Sequence, residues 1–218
     1  MVGEIFARFP HIVKIFQRYE CEFEIHSYTH NPRARVAEEM TLAHQAYCNY
    51  FHANPSGFRA PQGRLAPEMV AAMQALGIRY DSSIFPSYYP NPARYLFMKR
   101  SPHRIKGTHL IEIPLTSITP LRITLSLSYL KLLGMKTFLL FFRMFQLPET
   151  ICFNIHLHDF IVNEDSYAQL SPFWKFVYGR NKYAGLDFFE SFLGFIKTKG
   201  YNFCFVSDIY KQFDEHNQ

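Results

Sequence analysis

Between residues 2 and 20, apolar side chains fall at Ile5, Phe6, Phe9, Ile12, Val13, Ile15 and Phe16, the three-and-four spacing that lines one face of a helix. Pro10 stands inside that stripe and, having no N–H to donate, is expected to interrupt it. Residues 23–25 then read as a short strand ending at His26, residues 34–50 as a helix, and residues 56–58 as a strand stub ending at Arg59. Pro67 suits the first turn of a helix running to Leu76 and stopped by Gly77, with a strand over 78–80 behind it. Pro86, Pro90 and Pro92 punctuate a tyrosine-rich loop. Beyond it the pattern predicts a strand over 110–113, a helical region over 125–145 broken near Gly134, and a buried strand over 151–157 leading to His158. A helix over 186–199 stopped by Gly200, a closing strand over 203–206 and a short helix over 208–213 complete the series.

Strand and helix alternate along most of this pattern, which predicts an α/β fold with a parallel sheet. In such folds the loops at the carboxyl ends of the strands share one face. His26, Arg59 and His158 each follow a predicted strand, so three distant segments are expected to converge there. No repeat, low-complexity stretch or linker divides the chain, and residues 1–218 are expected to form a single domain.

Composition narrows the chemistry. Hydrophobic residues make up 48% of the 218 residues, enough to fill one core, and 23 Phe with 14 Tyr supply rings for a core and for sugar stacking. The net charge of +5 is spread over 23 basic and 18 acidic residues without a run of like sign, so nucleic acid is not an expected partner. Cys21, Cys48, Cys152 and Cys204 show no C-x-x-C spacing; free thiols and a reducing, cytoplasmic compartment are expected. The start lacks the basic, apolar and small-residue order of a signal peptide. The apolar tract over 137–145 contains Arg143 and is shorter than the roughly 20 residues a bilayer span needs. Core packing is the expected role of 125–145, the other reading being an amphipathic surface at the inner face of a membrane.

The strongest signals are short. His26-Ser27-Tyr28-Thr29-His30 places two imidazoles four positions apart, a spacing compatible with one divalent ion. Gly57-Phe58-Arg59-Ala60-Pro61-Gln62-Gly63 follows, and Ile155-His156-Leu157-His158-Asp159 comes later. Together these segments resemble the polysaccharide deacetylase family, whose catalytic unit is the NodB homology domain, also called carbohydrate esterase family 4. The resemblance implies a distorted parallel (β/α) barrel of about seven strands and a metal-dependent amidase that removes acetyl groups from an N-acetylated sugar, polysaccharide or glycan precursor. It implies His26 and His30 as ligands of zinc, or of cobalt or a similar ion, Arg59 as the group orienting the catalytic base, and His158 as the acid that protonates the departing amine. In the family an Asp-Asp motif supplies that base and a third ligand. This chain opens at Met1-Val2-Gly3-Glu4, so the domain is expected to be incomplete at its N-terminus, without its first strand and helix, and impaired in catalysis.

Pro61, Tyr88, Tyr89, Trp174 and His156 are expected to contact substrate, with Tyr95 beside the tyrosines in an aromatic cleft. Arg59, deprived of the family's carboxylate, is expected to turn to Asp81 or Asp159 or to stay unpaired. Two other functions fit the same motifs: a non-catalytic glycan-binding or scaffold barrel, and an amidase acting on a non-sugar C–N bond. A sheet missing its first strand would leave an open edge, which is expected to favour self-association.

Overall fold

A computed structural model of the chain describes residues 1–31, 36–88, 95–118, 120 and 122–215. Pro10 splits the N-terminal stripe as its chemistry requires: α1 (Gly3–Arg8) ends at Phe9, whose φ of −130° and ψ of 49° turn the chain, and α2 (Pro10–Phe16) begins at the proline. Helix α3 (Val36–Phe51) lies directly against α1. A Cβ at Gly3 would stand 2.7 Å from the Ala43 Cα, so only glycine permits this approach. Phe6, Val13, Met40, Met69 and Met73 bury together between these helices, α4 (Pro67–Ala75) and one face of the sheet.

The sheet is small and mostly parallel. β1 (Gly57–Phe58), β2 (Tyr80–Asp81) and β4 (Ile111–Glu112) run side by side, and β3 (His103–Arg104) pairs antiparallel with the outer edge of β4. On the opposite edge Ile25 adds one parallel bridge to Phe58. β5 (Ser117–Ile118) and β6 (Ile123–Thr124) form a separate antiparallel pair, and Ser126 bridges in parallel to Asn154. Among the described residues the strands thus make a four-stranded sheet and a hairpin, and no closed seven-stranded barrel is formed.

Gly134, at φ 87°, divides the 125–145 region into α5 (Leu127–Leu133) and α6 (Met135–Met144). Their buried faces meet α10 (Gly185–Thr198) in a second core, where Phe142 stacks on Phe195 at 5.0 Å and Phe153 on Phe192 at 4.3 Å. The region therefore packs into a core, although Leu140 and Met144 stay exposed. Three further helices, α7 (Leu157–Phe160), α8 (Glu164–Ala168) and α9 (Pro172–Gly179), lie between the two halves of this core in sequence. Helix α11 (Val206–Glu215) covers the other face of the sheet through Tyr210, which stacks on Tyr80 at 5.7 Å. Among the described residues no helix is long and apolar enough to cross a membrane.

Three expected strands are not formed: 23–25 keeps only its bridge at Ile25, and local hydrogen bonds explain the other two. The Asp208 carboxylate accepts the Phe205 N–H at 3.1 Å, starting the last helix at Val206 and leaving 201–205 irregular. Asp159 accepts the His156 N–H at 2.9 Å and pulls Leu157 into a helical turn, so the 151–157 segment keeps only its bridge at Asn154.

Candidate active site

The pairing of Ile25 with β1 sets the position of the first histidine. Ile25 donates its N–H to the Gly57 carbonyl at 3.4 Å and accepts the Arg59 N–H at 3.1 Å. This register brings His26 Nδ1 to 2.6 Å from the Arg59 carbonyl oxygen. A carbonyl only accepts, so Nδ1 carries the proton and Nε2 presents its lone pair, the state a metal ligand needs. Burial pushes the His26 pKa down to about 4, which keeps the ring neutral at physiological pH.

His30 reaches the same place through a tight turn. Ser27 and His30 adopt φ of 56° and 61°, and the Ser27 hydroxyl accepts the His30 N–H at 3.1 Å. From α3 the Glu39 carboxylate takes the N–H groups of Tyr28 and Thr29 at 3.1 and 2.6 Å. The turn is thereby fixed, and the two imidazole centroids lie 4.8 Å apart at 54°. The expected pair is therefore assembled. Two positions before His26, burial lifts the Glu24 carboxyl to about 7, and its Oε1 accepts the Tyr80 hydroxyl at 3.2 Å; no motif pointed to this residue.

Arg59 is where the motif placed it, but its expected partners are occupied elsewhere. Its Nε donates to the Ser82 carbonyl at 2.7 Å and Nη2 to the Ser82 hydroxyl at 2.8 Å, while Nη1 reaches Asn154 Oδ1 at 3.5 Å and Nη2 the Cys152 sulfur at 3.6 Å. Asp81 instead accepts the Ser83 hydroxyl at 2.6 Å and the Ser83 N–H at 3.2 Å. It also faces Glu112; both carboxyls are fully buried and held above their usual range by burial, Glu112 further by the nearby Asp81. Glu112 Oε2 meets no donor among the described residues, and a proton held between the two carboxyls would satisfy it. Arg59 thus clamps neutral oxygens and a sulfur, tying the end of β1 to β2 and to the 152–154 segment.

His156 and His158 stack at 4.9 Å with 12° between their planes. The edge of Tyr178 meets His158 at 5.6 Å, and Trp174 stacks on Tyr178 at 5.7 Å, so Trp174 joins this site through a ring that sequence reasoning missed. Tyr178 and Trp174 are one helical turn apart on α9, a signal the 3.6-residue period could have supplied. Asp159 is buried, its Oδ1 accepting the Ser128 hydroxyl at 2.7 Å, and Lys131 donates to the Asp159 carbonyl at 3.0 Å. The link between the two histidine pairs is Arg59, which holds His26 with its carbonyl and Asn154 with its guanidinium.

The remaining expected contacts separate. Pro61 is buried at the start of a 3₁₀ turn (Pro61–Gly63). Tyr88 is exposed, and Tyr89 lies outside the described residues. Tyr95 lines no cleft: it is buried, and its hydroxyl accepts the Leu65 N–H at 2.9 Å.

Zinc and similar ions take nitrogen and carboxylate donors, commonly three or four. His26 and His30 fit in donor type and proximity, and His26 also in tautomer, but they supply two donors. Among the described residues His156, His158 and Asp159 form the one group of three His, Cys, Asp or Glu side chains with ligand atoms within 4.8 Å of one another.

The fold and these two histidine pairs define an α/β protein with a paired-imidazole site at the carboxyl end of a parallel strand. Residues 1–80 match the sequence profile of the polysaccharide deacetylase family, and this segment contains His26, His30 and Arg59. The resemblance read from those motifs holds over that segment. Among solved structures, a chain from Mycobacterium smegmatis assigned as a polysaccharide deacetylase is 21% identical, with 53% of this chain and 38% of that chain covered and a TM-score of 0.40. A chain from Pseudomonas aeruginosa PAO1 with the same assignment is 19% identical, covering 54% and 38% with a TM-score of 0.41. A family 4 carbohydrate esterase from Streptomyces lividans, solved with acetate, is 22% identical, covering 37% and 44% with a TM-score of 0.33. This chain spans less than half the length of each. No curated protein matches.

Proposed function

We propose that this protein is a metal-dependent N-deacetylase acting on an acetylated carbohydrate, with the described sheet forming part of a NodB-like distorted barrel. The observation that carries this reading is the convergence of His26 and His30, at a strand end backed by Arg59, inside the segment that matches the family. Nε2 of His26 and a ring nitrogen of His30 would hold the ion. When bound, zinc or cobalt would polarise the acetamide carbonyl and lower the pKa of a coordinated water.

The protein's own groups supply the rest. Arg59 fixes the His26 tautomer and tethers the segment that carries His158. His158 in its protonated form delivers a proton to the leaving nitrogen, and Trp174 with Tyr178 offers a stacking surface for a sugar ring. Burial lowers the His158 pKa and the Asp159 carboxylate opposes that shift, so the donor form grows as pH falls. Among the described residues no carboxylate is hydrogen-bonded to His26, His30 or Arg59, and one missing acid-base group lowers a rate by about 10²–10⁴. The other reading, a glycan-binding module without turnover, uses the same histidine and arginine residues and is distinguished by experiment. A reducing, cytoplasmic setting is part of the proposal and rests on the cysteine spacing in the sequence alone.

Acetate release from N-acetylglucosamine oligomers, measured with added zinc or cobalt, separates the two. The deacetylase reading expects slow, metal-dependent release that is abolished in the double variant His26→Ala, His30→Ala and reduced about 10²-fold or more in His158→Ala. Calorimetric binding of the oligomers with no release at saturating metal would establish the binding module instead.

A further inference from the structure

We infer that His156, His158 and Asp159 form a second divalent-cation site, distinct from the His26–His30 pair, and that its occupation blocks the proton donor. The consequence for turnover rests on the proposed deacetylase reading; the binding itself does not.

The three ligand atoms lie within 4.8 Å of one another. Zinc at about 2.0–2.1 Å from each tetrahedral donor sets those donors about 3.4 Å apart, and His156 Nδ1 already stands 3.7 Å from Asp159 Oδ2. The remaining closure falls to His156 and His158, both exposed at the surface and able to reorient. The third ligand is anchored. Asp159 is 1% exposed, its carboxylate is oriented by the Ser128 hydroxyl at 2.7 Å and the His156 N–H at 2.9 Å, and each oxygen retains a lone pair.

Its backbone is pinned from behind by α10, whose Gly185 approaches so closely that a Cβ there would fall 1.9 Å from the Asp159 carbonyl oxygen. One buried fixed carboxylate beside two exposed imidazoles is a preformed anchor with surface partners, suited to zinc, cobalt or nickel more than to calcium or magnesium. Lys131 is the opposing charge, but its ammonium is directed at the Asp159 carbonyl and not at the carboxylate. An imidazole nitrogen bound to a cation has no proton to give, so His158 serves either as ligand or as acid.

The test uses the whole chain and two readouts. Cobalt(II) binding is followed by visible absorption and by calorimetry in the wild type, in His26→Ala, His30→Ala, and in His156→Ala, with circular dichroism confirming that each is folded. The expected result is two cobalt equivalents in the wild type, one retained in the double variant, and at least a tenfold weaker second equivalent in His156→Ala. Acetate release in the wild type should rise with occupation of the His26–His30 pair and fall with occupation of the His156–His158–Asp159 site, and the fall should vanish in His156→Ala. A folded double variant that binds no cobalt, or a second equivalent unaffected by His156→Ala, would overturn the site. Where the double variant does not fold, the stoichiometry of His156→Ala against wild type decides alone. Two bound equivalents without acetate release would remove the deacetylase reading and leave the site standing.

Discussion

Two carboxyls, Asp81 and Glu112, occupy one fully buried space, and both are held above their usual range. In the unfolded chain they titrate near about pH 4. The folded pair keeps its proton to higher pH, so its contribution to stability is complete below that value and is lost as pH rises toward the folded values. Glu112→Gln retains the shape and an oxygen for the Ile84 N–H, now accepted at 2.9 Å, and removes one titration. Urea unfolding at pH 5 and pH 8 should show the wild type losing more stability over that interval than the variant; parallel losses would contradict the shared proton. Little of this was legible beforehand. Arg59 and the two histidines carry type and spacing in the sequence, but a side chain's partner depends on what the neighbouring strand presents. Ser82 and Asn154, lying 23 and 95 positions away from Arg59, present it with oxygens that no local pattern reveals.

At the level of elements, periodicity served helices better than strands. The expected helix over 34–50 is observed at Val36–Phe51, that over 67–76 at Pro67–Ala75, and that over 186–199 at Gly185–Thr198, because long apolar stripes and their flanking glycine and proline signals are redundant. Strands only two residues long give no such redundancy. Over 203–206 a single carboxylate, Asp208, was enough to turn an apolar run into the start of a helix. The contact between α7 and α10 shows the same sensitivity in three dimensions. Gly185→Ala places a methyl where the Asp159 carbonyl stands, and the helices must separate, at an expected cost of about 2 kcal/mol. Chemical denaturation measures that loss, and unchanged stability would mean the helices are not so closely opposed.

Across the whole molecule, one apolar core gathers the N-terminal helices and the second gathers α5, α6 and α10, with Arg59 reaching from the first toward the 152–154 segment of the second. Cation binding by the folded state alone stabilises it by about 2.7 kcal/mol at a hundredfold excess over Kd. Thermal unfolding should therefore shift upward with added zinc and return on chelation; an identical midpoint in both conditions would argue against a site formed only in the folded chain. The α/β class was readable from alternating elements. Closure into a barrel was not, since it depends on how separate strand edges meet.

Ile25 meets the sheet through one bridge, at an edge, and the residue after it is His26. The histidine pair thus sits on the least secured margin of a short sheet, where amide protons are expected to exchange with solvent sooner than those inside β2. A cation gripping His26 and His30 would act as a clasp on that margin, so the ordering of the edge and the loading of the metal become a single event.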